Sequence, residues 1–316
     1  MRHNWYTLAL SVGVFIVGCT SSKEATPGLR GAVAKQISLA EEAYDVGRFG
    51  AAASRYRQAL ISARSQDDPS LIAPILHNLG TALQKSNLCS DAIVVFQEAF
   101  DLYRVSEQSK PMLMAQLGRA SCEHALGLAE ASTTLHEVQL KAEKLRENVI
   151  AAQAASGRAA IALAADAPES DSLVAVALEY AKASGNPSAL GVASFNQGRL
   201  HEKNDAIQSA IVAFRQAAEA YRTIGDYAGL ASALGRHAVL NAKVGGPPLE
   251  TANLFQRAAH ASASARNLSY ASTHFSNAAF YFQEAGRHER AQLCREQAES
   301  LRSSSEPTGT YRSTTK

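Results

Sequence analysis

The strongest constraint in this chain is an internal period of about forty residues. Triplets of small, large and small residues at i, i+4 and i+7 recur seven times: Ala52-Tyr56-Ala59, Ala92-Phe96-Ala99, Ala131-Leu135-Val138, Val174-Leu178-Ala181, Ala210-Phe214-Ala217, Thr251-Phe255-Ala258 and Ala291-Arg295-Ala298. Their last members lie 40, 39, 43, 36, 41 and 40 positions apart. That spacing puts each triplet on one face of a helix. A period of this length describes stacked supersecondary units, each too small to bury its own apolar stripe. Composition agrees: 60 of 316 residues are alanine, the best helix former, and only 9 are proline. A β-sandwich, a barrel and a collagen-like chain are excluded on the same grounds.

A second series runs ahead of the first. Gly80, Gly118, Gly157, Gly198 and Gly235 are spaced 38, 39, 41 and 37, with Ala40 before and Ala279 after. Each sits inside a helical pattern, where glycine costs about 1 kcal/mol relative to alanine. Close approach of helices is the packing reason such a series needs. Between the units fall Pro69, Pro74, Pro111, Pro168, Asn186-Pro187 and Gly245-Gly246-Pro247-Pro248, which are expected to act as breakers. Between the third and fourth units the only breaker is Asn148. Within units, short turns such as Val46-Gly47-Arg48, Ser86-Asn87 and Ala285-Gly286-Arg287 divide each into two helices.

Leu79-Gly80 followed by Ala92, Phe96 and Ala99, and Gly198 followed by Ala210, Phe214 and Ala217, resemble the tetratricopeptide repeat in its class of longer helices. The resemblance implies an all-α, right-handed superhelix of about seven hairpins over residues 33–303, with a concave groove lined by the first helix of each hairpin. Residues 304–316, poor in apolar side chains, are expected to be disordered.

The N-terminus reads as an address. A basic start at Arg2 precedes an apolar run from Trp5 to Val17, too short for a ~30 Å hydrocarbon core and suited to a secretory signal. Ile16-Val17-Gly18-Cys19 resembles a bacterial lipobox, which implies removal of residues 1–18 and lipidation of Cys19. Residues 19–32 then form the lipidated tether. Thr20 after the cysteine implies the periplasmic face of an outer membrane. An ordinary signal peptide, or a buried N-terminal helix, is the alternative. Three further cysteines, Cys89, Cys122 and Cys294, cannot all pair with one another and read as buried thiols.

Catalytic patterns are absent. No phosphate loop occurs, and the pairs His136-Glu137, His201-Glu202 and His288-Glu289 lack the second histidine four residues on that a helical zinc site needs. No enzyme, cofactor or metal site is expected. The net charge of +2 offers no polycationic surface for nucleic acid. Four consecutive units do read Gly-Arg, placing Arg119, Arg158, Arg199 and Arg236 at one register. By the repeat resemblance that register faces the groove, where guanidinium groups would grip carboxylates or phosphates in pairs of hydrogen bonds. Asn78, Asn196 and Asn277 stand two residues before the small position, and the resemblance implies contacts to the backbone of an extended peptide. The opposing reading has each arginine paired inside the solenoid. The expected function is a lipid-anchored scaffold of the bacterial cell envelope, holding an acidic or carboxylate-ended segment of a protein client. The alternative is a lipoprotein that binds a small anionic ligand or glycan.

Overall fold

A computed structural model describes residues 29–65 and 69–305. The leader, Cys19, most of the tether and residues 306–316 therefore lie outside the described residues. The described residues form seven helical hairpins and no strand. They are α1 (Leu29–Asp45) with α2 (Phe49–Arg64), α3 (Pro69–Lys85) with α4 (Cys89–Val105), α5 (Ser109–Ala125) with α6 (Glu130–Lys144), α7 (Asn148–Ala164) with α8 (Ser170–Ser184), α9 (Pro187–Lys203) with α10 (Ile207–Thr223), α11 (Tyr227–Lys243) with α12 (Pro248–Ser264), and α13 (Leu268–Glu284) with α14 (His288–Ser305). The glycine series falls on odd-numbered helices and the triplets on even-numbered ones. The chain divides into two compact units, one ending at Asn196 and the other beginning at Gln197, within α9.

Reversal of the chain is encoded in the turns. One residue in the left-handed region ends each described helix–helix connection: Gly47, Asn87, Glu107, Gly127, Arg146, Asp166, Gly185, Asp205, Gly225, Gly245, Arg266 or Gly286. In most, the next residue donates its N–H to the carbonyl five positions back, as Leu88 does to Leu83 at 2.9 Å and Glu147 to Ala142 at 2.9 Å. This is the Schellman closure, which satisfies carbonyls the helix end leaves open. Asn148 opens α7, and Arg146 at φ 57° makes the turn that separates the third and fourth hairpins.

Pro69 and Asn186-Pro187 separate hairpins as expected, but Pro168 and Gly245-Gly246-Pro247-Pro248 lie within the fourth and sixth hairpins, where each connects the two helices of one unit. Pro69, Pro187 and Pro248 open helices, and Pro111 lies in the first turn of α5. There the missing N–H has no intrahelical partner to lose. Pro74 is inside α3, so it separates nothing.

The glycines have the packing role their recurrence implied. A Cβ on Gly80 would lie 2.8 Å from the ring of Phe96, and one on Gly118 would lie 2.5 Å from it. The Phe96 ring, 1% exposed, is thus wedged between α3 and α5. In the second unit a Cβ on Gly198 would lie 2.7 Å from Phe214, and one on Gly235 would lie 2.8 Å from His274 of α13. Triplet members are buried in six hairpins with one shift: α8 buries Val174, Ala177 and Ala181, leaving Leu178 half-exposed. Within the first unit the core changes from aromatic around Tyr56, Phe96 and Tyr103 to alanine-rich around Ala152, Ala155, Ala177, Ala181, Ala189 and Ala193.

Candidate functional site

The Gly-Arg register places four arginines one step past a buried small residue, so each guanidinium leaves the core and stops half-buried. Arg119 and Arg158 belong to the first unit, Arg199 and Arg236 to the second. On α5, Arg119 donates to Gln97 of α4 and to Thr134 of α6 at 3.5 Å, and its Nε lies 3.0 Å from the Glu123 carboxylate. On α7, Arg158 donates to Gln139 of α6 at 2.7 Å, and Gln139 donates to Glu143 at 2.8 Å. Burial pushes the Arg158 pKa down, while the charges of Glu143 and Glu169 push it back up. On α11, Arg236 donates to Glu202 of α9 at 3.1 Å. Arg119 and Arg236 thus have carboxylate partners inside their own units. Arg158 is held by a neutral amide.

The asparagines separate. Asn78 is half-buried and hydrogen-bonds Tyr56. Asn196 is fully buried and donates to the Ser156 carbonyl of α7 at 2.8 Å, so it ties α9 to α7. Asn277 is half-buried on α13.

One feature of the terminal hairpin was signalled in the sequence only by Arg295 in an aromatic's place. Around the triplet centre, α4 presents Ile93, Phe96, Phe100 and Tyr103 to the core. The same register of α14 carries the polar residues Gln292, Arg295, Glu299 and Arg302. Between α13 and α14 lies a cleft of about 260 Å³, floored by Ala279 and Ala298. Arg295 crosses it to Gln283 at 3.1 Å and Arg302 crosses it to Ser276 at 2.8 Å. Glu299 lines it as well, and Phe280, 59% exposed, forms one wall.

Two histidines lie apart from these sites. His77, buried, packs edge-on to Phe96 with ring centroids 5.8 Å apart, and His274, half-buried, packs on Phe255 at 6.0 Å. Burial lowers both pKa values to about 4. Among the described residues no group of three or more His, Cys, Asp or Glu is placed to hold a metal ion, and no helix is long and apolar enough to cross a membrane.

No family model matches the sequence, and no curated protein matches it. Solved structures do. A Rap protein complexed with Competence and Sporulation Factor superposes with a TM-score of 0.62 at 15% identity, covering 86% of this chain and 75% of that one. A signal-transduction ATPase with a tetratricopeptide repeat sensor from Pyrococcus horikoshii gives 0.58 at 14% identity, covering 86% of this chain and 42% of that one. The apo form of the quorum sensor NprR from B. thuringiensis gives 0.54 at 10% identity, covering 85% and 87%. The fold is that of a tetratricopeptide-like helical solenoid.

Proposed function

We propose that this protein is a non-catalytic, protein-binding scaffold, anchored through lipid on Cys19 to a bacterial envelope membrane at its periplasmic face. It holds an acidic segment of an envelope client with the arginines of its odd-numbered helices. The observation that carries the reading is Arg158. Its guanidinium is half-buried and held at 2.7 Å by the neutral Gln139, with Glu143 and Glu169 acting on it through their charges rather than as hydrogen-bond partners. Arg119 supplies a second charge of the same register in the first unit, and Arg199 and Arg236 occupy that register in the second. The fold of a Rap protein seen with a bound factor supports a binding role for this architecture. Cross-linking intact cells, then comparing what wild type and the Arg119, Arg158, Arg199 and Arg236 alanine variant retain, tests it. A defined client set must disappear from a variant that still folds. Cys19→Ser must release the protein from membranes.

A second reading rests on the α13–α14 cleft. Its volume and its two guanidiniums suit a small carboxylate-bearing ligand or an anionic glycan fragment better than a protein chain. Calorimetric titration with a dicarboxylate, against wild type and Arg295→Ala/Arg302→Ala, separates the two readings.

A further inference from the structure

Cys89 and Cys122 lie 33 residues apart in sequence, on different helices. Cys122 belongs to the buried core of the first unit, and Cys89, half-buried at the start of α4, packs against that same core. Cys89 opens α4 and Cys122 stands in the last turn of α5, so the two lie at the same end of an antiparallel, packed helix pair; burial, with Cys89 as a neighbour, pushes the Cys122 thiol pKa up. Cys294 is buried on α14, in the other unit. Three cysteines that read in sequence as equivalent buried thiols therefore resolve into a pair and a single. A disulfide needs its two β-carbons within a narrow range, and the adjoining ends of two packed antiparallel helices are where cysteines from both can approach.

We infer that Cys89 and Cys122 are a disulfide-forming site that cross-links α4 to α5. The oxidant is a low-molecular-weight or protein disulfide. Cys89, the more exposed sulfur, attacks it as thiolate after giving its proton to water, forms a mixed disulfide and releases one thiolate. Cys122 then loses its proton and displaces the second leaving thiolate from Cys89. One S–S bond forms, the oxidant's S–S bond is reduced to two thiols, and the protein loses two hydrogens. The bond lies between the helices that carry Gln97 and Arg119, so it fixes the pair that sets the position of Arg119. This inference is independent of the client proposal, because it concerns a covalent bond rather than a ligand.

The test incubates the folded full chain with oxidised glutathione and maps peptides without reduction. The expected product is a Cys89–Cys122 linked peptide pair lighter by about 2 Da, with Cys294 still alkylatable after denaturation. Its unfolding midpoint should rise by several degrees and return on reduction. A stable glutathione adduct on Cys89, a link to Cys294, or two free thiols would each overturn the inference. Wild type carries the experiment, so no variant need fold. Cys122→Ala adds that Cys89 should accumulate as the adduct.

Discussion

Phe96 and Arg295 hold the same register in their hairpins, and they face opposite demands. Phe96 is clasped by the bare backbones of Gly80 and Gly118 and packs on His77. Arg295 is exposed, bonded to Gln283 and Gln292, and forms one side of an open cleft. One position therefore serves as a wedge where α3 and α5 clasp it and as part of a polar face on α14. The recurring pattern is a packing device, and at the last repeat it gives way to a polar cleft.

The sharpest way to break this comparison is to truncate both residues. Phe96→Ala should cost about 3–5 kcal/mol through lost burial and the cavity between α3 and α5. Arg295→Ala should change stability by about 0.5 kcal/mol or less. Parallel denaturant titrations read the difference, and equal losses would erase the distinction.

Acid should find the wedge next. For His77 and His274 the folded pKa of about 4 lies below the ordinary 6.5, so the unfolded chain binds more protons between those values. Stability is then complete above about pH 6.5 and declines as pH falls toward 4, by on the order of 2–3 kcal/mol for each histidine. Chemical denaturation from pH 7 to pH 4 should show that slope, and His77→Leu should remove the first unit's share of it.

Glycine substitutions sharpen the picture further. Gly118→Ala gains helix propensity, but its methyl would lie 2.5 Å from a buried ring, for a net loss of about 1–2 kcal/mol. Gly50→Ala has nothing within 4 Å and should stabilise by about 0.5–1 kcal/mol. Thermal melts that rank the two in the reverse order would mean that the close approach is not what selects glycine. The smallest change concerns a turn. Arg146→Gly relieves a left-handed φ of 57° and should stabilise by about 0.5–1 kcal/mol, measured in the same way.

The repeat was legible because one seam is written many times, so small, large and glycine positions reinforce one another across hairpins. The α8 register was not, because Leu173, Val174, Val176, Ala177 and Leu178 give apolar residues on several sides and no unique period. Glu107, Arg146 and Arg266 occupy left-handed turns without glycine, leaving no compositional signal there. The arginine register was visible in sequence. Glu123, four residues past Arg119 on the same helix, was a legible partner; Gln97, Gln139 and Glu202 were not, since each comes from another hairpin. The contact of Cys89 with Cys122 likewise follows from packing, with no spacing rule to announce it.

Arg158 of α7, held by the amide of Gln139, is the proposed contact for the client's carboxylate. Arg158→Ala and Arg119→Ala should therefore be compared in client recovery after cross-linking, with melting temperatures taken alongside. Arg158→Ala is expected to lose most of the client at nearly unchanged stability, and Arg119→Ala, at a residue already paired with Glu123, to lose less. Recovery that is unchanged in Arg158→Ala, or that falls only in step with stability in both variants, would contradict it and leave the arginines as parts of the packing alone.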